Sequence, residues 1–157
     1  MVTGKVTVSA VPGLGKKSNR VTIDLEVPGQ ANGVLYALGG SAGGLTVFMQ
    51  DGKLTYEYNM MLIENYSVTT PAIAAGRHEI EITTNLQRPG AEAEVQIKLD
   101  GKKIANCVVA RSVPAAFSAT ETFDVGKDLG SPVSLRYRDK APFAYNGQIH
   151  SLKVALQ

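Results

Sequence analysis

The sequence predicts an all-β fold: one domain made of two packed antiparallel sheets. Three observations predict it. Apolar and polar residues alternate with period two along most of the chain, two Asp-Gly pairs fall between such runs, and no segment of about ten residues carries an apolar stripe at helical spacing. The 157 residues suit a single domain, and a composition of 44% hydrophobic and 19% charged residues supports a packed core.

A first strand is expected over residues 5–10 and a second over 21–27, where Ile23, Leu25 and Val27 alternate with Asp24 and Glu26. A third, over 33–38, leads into Gly39-Gly40-Ser41-Ala42-Gly43-Gly44. This run lies between two strands without the helix start or the Lys of a phosphate loop, so it reads as a flexible turn. Asp51-Gly52 and Asp100-Gly101 supply the positive φ angles of tight type I′ turns. They predict hairpins of 45–50 with 53–59 and of 92–99 with 102–109. A short strand is expected over 66–69. In Arg77-His78-Glu79-Ile80-Glu81-Ile82-Thr83 the isoleucines point one way and the glutamates the other, and Val95, Ile97 and Leu99 do the same in their strand. The last strands fall over 117–125 and 148–156. Ten or so short strands separated by Gly, Pro, Asn and Ser clusters give a jelly-roll or lectin-like sandwich with no repeat and no linker. The longest irregular stretch runs from Gly126 to Asn146, and a loop of that length is a candidate functional or docking element.

The net charge of +2 comes from scattered residues and leaves no footprint for a polyanion, so nucleic acid is not an expected partner. The clusters Lys16-Lys17-Ser18-Asn19-Arg20 and Arg136-Tyr137-Arg138-Asp139-Lys140 are short and read as solvated loops. No apolar run approaches the ~18–20 residues of a membrane span, and Met1-Val2-Thr3-Gly4-Lys5 does not open a signal peptide. A soluble chain without a membrane partner is expected; its compartment is not legible.

Reactive groups are few. Cys107 is the single cysteine, which excludes an internal disulfide and a multi-thiolate metal site, and its apolar surroundings suit a small buried hydrophobe. The two histidines alternate with core residues, His78 with Ile80 and Ile82 and His150 with Leu152 and Val154. Packed, hydrogen-bonded histidines at the inward face or the strand ends are expected, not triad members, and no Gly-x-Ser-x-Gly elbow is present. The pairs Asp24/Glu26, Glu79/Glu81 and Glu92/Glu94 have the i, i+2 spacing that puts two carboxylates ~6.5–7 Å apart on one strand face, within the range of glycosidase acids. Each alternates with core residues, so each is expected on a solvated face with no pocket to raise a pKa. Tyr56 and Tyr58 share a face that Tyr36, Phe48 and Phe143 could extend into a sugar-stacking platform, with core packing the plainer reading. Asp124, Asp128 and Ser131 bring hard oxygen ligands of the type calcium takes to one loop, against the plainer reading of loop-closing Asx turns. No catalytic, cofactor-binding or metal-ligating residue is assigned.

Several blocks resemble, in order, the C-terminal region of large bacterial arylsulfatases. They are Gly33-Val34-Leu35-Tyr36-Ala37-Leu38-Gly39-Gly40, Gly43-Gly44-Leu45-Thr46-Val47-Phe48 and Asp51-Gly52-Lys53-Leu54-Thr55-Tyr56-Glu57-Tyr58-Asn59. Further along come Leu99-Asp100-Gly101-Lys102-Lys103, Arg111-Ser112-Val113-Pro114, Thr120-Glu121-Thr122-Phe123-Asp124-Val125-Gly126-Lys127-Asp128 with Leu129-Gly130-Ser131-Pro132-Val133-Ser134, and Pro142-Phe143-Ala144-Tyr145-Asn146-Gly147-Gln148-Ile149. The resemblance spans about Lys16 to Gln157 and implies a concanavalin-like or laminin-G-like sandwich. Family members hydrolyse sulfate esters with a formylglycine formed in a Cys/Ser-x-Pro-Ser/Ala-x-Arg motif, assisted by calcium. Here Ser112-Val113-Pro114-Ala115-Ala116 fits the first positions, but Phe117 stands where Arg is required, and Val109 breaks the motif after Cys107. No catalytic residue carries over. The resemblance implies an accessory domain packed on an N-terminal sulfatase catalytic domain. A lectin-like module that binds sugars or sulfated glycans is the alternative, and a stand-alone glycosidase or lyase the third reading. The apolar patch expected on an excised domain leaves a homodimer open.

Overall fold

The computed structural model describes residues 2–7, 18–60, 64–88, 90–112, 123–129 and 131–156. Among them lie eleven strands: β1 Val2–Thr7, β2 Asn19–Val27, β3 Gly33–Gly40, β4 Gly43–Gln50, β5 Lys53–Met60, β6 Glu64–Ala72, β7 Gly76–Leu86, β8 Ala93–Leu99, β9 Lys102–Val109, β10 Phe123–Val125 and β11 Gln148–Leu156. A 3-10 helix spans Leu135–Lys140. The strands form a six-stranded sheet in the order β1-β11-β2-β7-β8-β9 and a five-stranded sheet in the order β10-β3-β4-β5-β6. This is the expected all-β two-sheet sandwich. It departs from a wholly antiparallel one in β1, which lies parallel to β11.

The local chemistry acts as expected at both Asp-Gly turns. Asp51 and Gly52 have φ of 51° and 78°, and Asp100 and Gly101 have 51° and 86°, so β4–β5 and β8–β9 close as tight hairpins. The glycine run is a correction. It is not a flexible turn, because β3 continues to Gly40 and β4 starts at Gly43, with Gly39 paired to Gly44. A Cβ on Gly44 would sit 2.3 Å from the Leu38 carbonyl oxygen, so glycine permits the two backbones to close on a turn of only Ser41 and Ala42. β1 starts at Val2, earlier than the first predicted strand, and residues 8–10 of that prediction lie outside the described residues. Of the segment predicted at 117–125, only β10 is described.

The core lies between the sheets. Val21, Ile23, Leu25, Ile80, Ile82, Val95 and Ile97 from one sheet meet Leu45, Val47, Met49, Leu54, Tyr56 and Tyr58 from the other. The outer face of β3, β4 and β5 is buried as well, in contrast to the half-buried pattern read from the alternation. The segment from Asp128 to Tyr145 covers it, and a second apolar cluster of Val34, Ala37, Phe48, Val133, Tyr137 and Phe143 forms beneath that cap.

The cap is anchored where β3 begins. Val34 N–H donates to the Phe143 carbonyl at 2.8 Å, and Tyr145 Oη donates to the Glu26 carbonyl at 2.7 Å. Gly33 makes this approach possible: its φ is +120°, and a Cβ there would lie 2.3 Å from Tyr145 Cα. Gly33→Ala is expected to cost more than about 1 kcal/mol in urea unfolding, whereas Gly29→Ala, with open space around it, changes stability by less than about 0.5 kcal/mol.

Candidate functional site

The outer face of the five-stranded sheet carries the polar residues Thr46, Thr55, Glu57 and Asn59, all buried. The cap and the neighbouring strand β6 satisfy them together, Thr55 through Thr69 Oγ1 at 2.9 Å. Ser134 Oγ donates to Glu57 Oε1 at 2.8 Å, Asn65 Nδ2 donates to Glu57 Oε2 at 3.1 Å, and the Arg136 guanidinium stands 3.6 Å from Glu57. Tyr137 Oη lies 2.5 Å from Asp128 Oδ2 and 3.2 Å from Thr46 Oγ1. Burial first, then the bond to Asp128, pushes the Tyr137 hydroxyl far above its ordinary pKa, so it stays a donor. The cluster Arg136–Lys140, expected as a solvated loop, is therefore half structural: Tyr137 is fully buried, and Arg136 reaches Glu57 and Ser67.

This cap settles where two groups of candidate residues lie. Tyr36, Tyr56 and Tyr58 are buried in the inter-sheet core, Phe48 lies under the cap, and Phe143 packs from the cap onto it, with Tyr137 stacked on Phe143 at 5.5 Å. None of these five rings offers a face to a sugar. Asp124 Oδ2 accepts the Leu129 N–H at 2.9 Å, Asp128 Oδ2 accepts the Val133 N–H at 3.0 Å, and Ser131 Oγ accepts the Ser41 N–H at 2.9 Å. These bonds close the loop and tie it to the β3–β4 turn. Among the described residues no group of three His, Cys, Asp or Glu is arranged to hold a metal. A hollow between the sheets, lined by Asn19, Tyr36, Tyr56, Tyr58 and Ser112 among others, measures about 10 Å³, room for about one water.

The remaining candidates lie on or near the outer face of the six-stranded sheet. Asp24 accepts a two-pronged bond from Arg77 at 2.8 and 3.0 Å, which holds its carboxyl below the usual range. Glu81 pairs with Arg20 at 3.3 Å, while Glu79, Glu92 and Glu94 are exposed. His150 is a correction: the register shifts between Ile149 and Ser151, so Ile149 takes the inward position. His150 is left as the extra residue of the bulge, its Nε2 3.3 Å from Glu26. His78 sits near the start of β7 with Nδ1 2.6 Å from Asp100 Oδ2 and Nε2 2.8 Å from the Ala74 carbonyl. Two acceptors facing two ring nitrogens favour the imidazolium, and the bond to Asp100 raises its pKa. With both nitrogens engaged, the ring has none to offer a substrate as a base. Burial pushes the Cys107 thiol up, away from reactivity. Ser112 Oγ donates to the Ala91 carbonyl at 2.6 Å; residues 113–117 of the partial sulfatase-type motif lie outside the described residues.

A groove that the sequence reading did not assemble opens at the far end of β7 and β8. One hollow of about 310 Å³ is lined by Asn85, Gln87, Ala91, Glu92 and Glu94. A second, of about 180 Å³, is lined by Thr83, Thr84, Asn85, Glu94 and Gln96. The hairpin register builds it, setting Thr83 opposite Gln96 and Asn85 opposite Glu94, while Leu86 and Ala93 turn inward. Two serines fix its end: Ser18 Oγ donates to the Leu86 carbonyl and accepts the Leu86 N–H, both at 2.9 Å, and Ser112 holds Ala91. Glu94 Oε1 accepts from Gln96 Nε2 at 3.2 Å. Of this lining the sequence reading singled out only Glu92 and Glu94. The available signal was the pair of outward polar triplets, Thr83-Asn85-Gln87 and Glu92-Glu94-Gln96.

The fold is that of laminin-G-like sandwich domains. The chain is similar in structure to domains LG4-5 of the mouse laminin alpha1 chain, with TM-score 0.65 and 16% identity over 90% of this chain and 36% of that one. It thus spans about a third of the laminin chain. It is also similar to the CBM40 of a Ruminococcus gnavus IT-sialidase bound to alpha2,3 sialyllactose, with TM-score 0.61 and 12% identity over 90% and 78% of the two chains. A heptameric SAP-like pentraxin from Limulus polyphemus matches with TM-score 0.54 and 13% identity over 88% and 64%. No protein-family model and no curated protein matches the chain. Identities this low establish the fold alone. Among the described residues no helix is long and apolar enough to cross a membrane.

Two outcomes follow from this geometry. The folded pKa of His78 is raised above 6.5 and that of Asp100 lowered below 3.8, chiefly by the Glu79 N–H and then by His78. The His78 contribution is complete below pH 6.5 and is lost as pH rises through the folded histidine pKa. The Asp100 contribution is complete above pH 3.8 and is lost as pH falls through the folded aspartate pKa. Unfolding measured from pH 3 to 9 should therefore show the wild type gaining most over Asp100→Asn between these limits. Tyr137→Phe should cost about 1–3 kcal/mol in urea unfolding, because it removes a donor from a buried carboxylate.

Proposed function

We propose that the chain is a carbohydrate-recognition module that holds sugar in the β7–β8 groove and carries out no chemistry on it. The observation that carries this reading is the lining of the groove: Thr83, Asn85, Glu94 and Gln96 on the outer face of β7 and β8, and Gln87 and Glu92 just beyond the strand ends, all carry hydrogen-bonding side chains. Sugar hydroxyls both donate and accept, and amides, carboxylates and a hydroxyl together answer both roles. The likeness to a CBM40 bound to alpha2,3 sialyllactose, over 90% of this chain, supports the same reading. None of the described residues lining the groove is aromatic, so affinity rests on hydrogen bonds in water and should be weak, with Kd of about 0.1–10 mM.

Titration with a panel of oligosaccharides at millimolar concentration, followed by NMR shifts of the β7 and β8 amides, tests it. Asn85→Ala and Gln96→Ala should abolish binding while changing stability by less than about 0.5 kcal/mol. Silence from every sugar, or binding unaffected by both substitutions, overturns the reading.

A second reading is an accessory domain docked on a sulfatase catalytic domain. Besides the ordered sequence blocks, it is favoured by two large apolar side chains on the cap region, Leu129 at 60% and Leu135 at 71% exposure, which a packing partner would cover. A sulfatase signature upstream in the same gene is its expected accompaniment, and a parent gene without one removes it.

A further inference from the structure

We propose that the β7–β8 groove recognises two linked sugar units at the end of a chain, with Asn85 and Glu94 beside the linkage; this rests on the carbohydrate reading above. Two adjoining hollows carry the inference. They measure about 310 and 180 Å³, and Asn85 and Glu94 line both, so the two meet across that one cross-strand pair. The smaller alone falls below the range of about 300–1,000 Å³ usual for small-molecule sites, and the two together fall within it. A ligand that fills the groove therefore spans both.

Register sets the spacing. Thr83 faces Gln96 in one row, Asn85 faces Glu94 in the next, and Gln87 and Glu92 stand just beyond the strand ends. Successive rows on one strand face lie about 7 Å apart, so a ring over each hollow meets its own row and shares the middle one. Gln96 Nε2 donates to Glu94 Oε1 at 3.2 Å, which holds the outer row against the shared row. The two ends differ. At the larger hollow the Ala91 N–H donates to the Arg88 carbonyl at 3.1 Å, while Ser112 holds the Ala91 carbonyl through its N–H at 3.1 Å and its Oγ at 2.6 Å. Ala91 is thus a fixed border, and a chain end stops against it. Beyond Gln96 the next outward row is Lys98 opposite Glu81, and Glu81 is held by Arg20 at 3.3 Å. Neither Glu81 nor Lys98 lines a hollow, so a third unit gains little.

Chain length separates the outcomes: the mono-, di- and trisaccharides of glucose, galactose, mannose and N-acetylglucosamine are each titrated by NMR up to about 100 mM. In the series that binds, the disaccharide is expected to bind about tenfold tighter than the monosaccharide, equivalent to about 1.4 kcal/mol, and the trisaccharide less than about twofold tighter again. The monosaccharide should shift the amides around Gln87 and Glu92, and the disaccharide those around Thr83 and Gln96 as well. Gln96→Ala should bring the disaccharide down to the monosaccharide level, below what a millimolar titration detects, and leave the monosaccharide unchanged. Monosaccharides that bind as tightly as their disaccharides, a third unit that adds as much as the second, or a Gln96→Ala variant that weakens both lengths alike overturns the two-unit inference and leaves the module reading standing. Failure of every member of every series to bind overturns both.

Discussion

Ile23, Leu25, Ile80 and Ile97 of the six-stranded sheet meet Val47, Met49, Leu54 and Tyr56 of the five-stranded sheet across one apolar layer, and the rest of the chain is arranged around that contact. Each such side chain contributes about 1.5–3 kcal/mol when fully buried, and these are buried to within a few per cent of their surface. A one-residue slip in any of these strands would turn its apolar set outward, so the layer fixes register as well as stability. That fixed register is what places Thr83 beside Gln96 and Asn85 beside Glu94 on the far face.

The two sheets treat their outer faces differently. The five-stranded sheet is covered by its own chain, and the cost of burying Glu57 and Asp128 is offset by donors supplied from the cap and from the neighbouring strand. A buried network of this kind specifies one arrangement, because any displacement leaves a carboxylate without its donors. This face is therefore closed to ligands. The six-stranded sheet leaves its outer face to water, where ionisable groups form exposed or half-exposed pairs such as Arg77 with Asp24 and Arg20 with Glu81. Pairs of this kind add little to stability.

Much of the fold was legible because period-two alternation and Asp-Gly turns are local signals. The hairpins at Asp51-Gly52 and Asp100-Gly101 and the strands through Ile23, Ile80 and Ile97 follow from them. The candidate site was legible only in pieces. Glu92 and Glu94 stood out as a carboxylate pair, but Thr83, Asn85 and Gln96 carry no chemistry until the β7–β8 register brings them together. His150 was misplaced because a bulge adds one residue to β11 and reverses the alternation behind it, an event that no residue type announces.

The sequence by itself determined that the chain forms strands, where two of its tight turns fall, and which side of each regular strand is apolar. The tertiary structure alone decided what lies over each side. Alternation distinguishes the two faces of a strand but does not say whether the second face meets water or another layer, so nothing in the pattern around Thr46, Glu57 and Asn59 announces that they are buried. Covering them took a segment distant in the chain, seated through a glycine at residue 33 that lets Tyr145 approach to within a Cβ's reach.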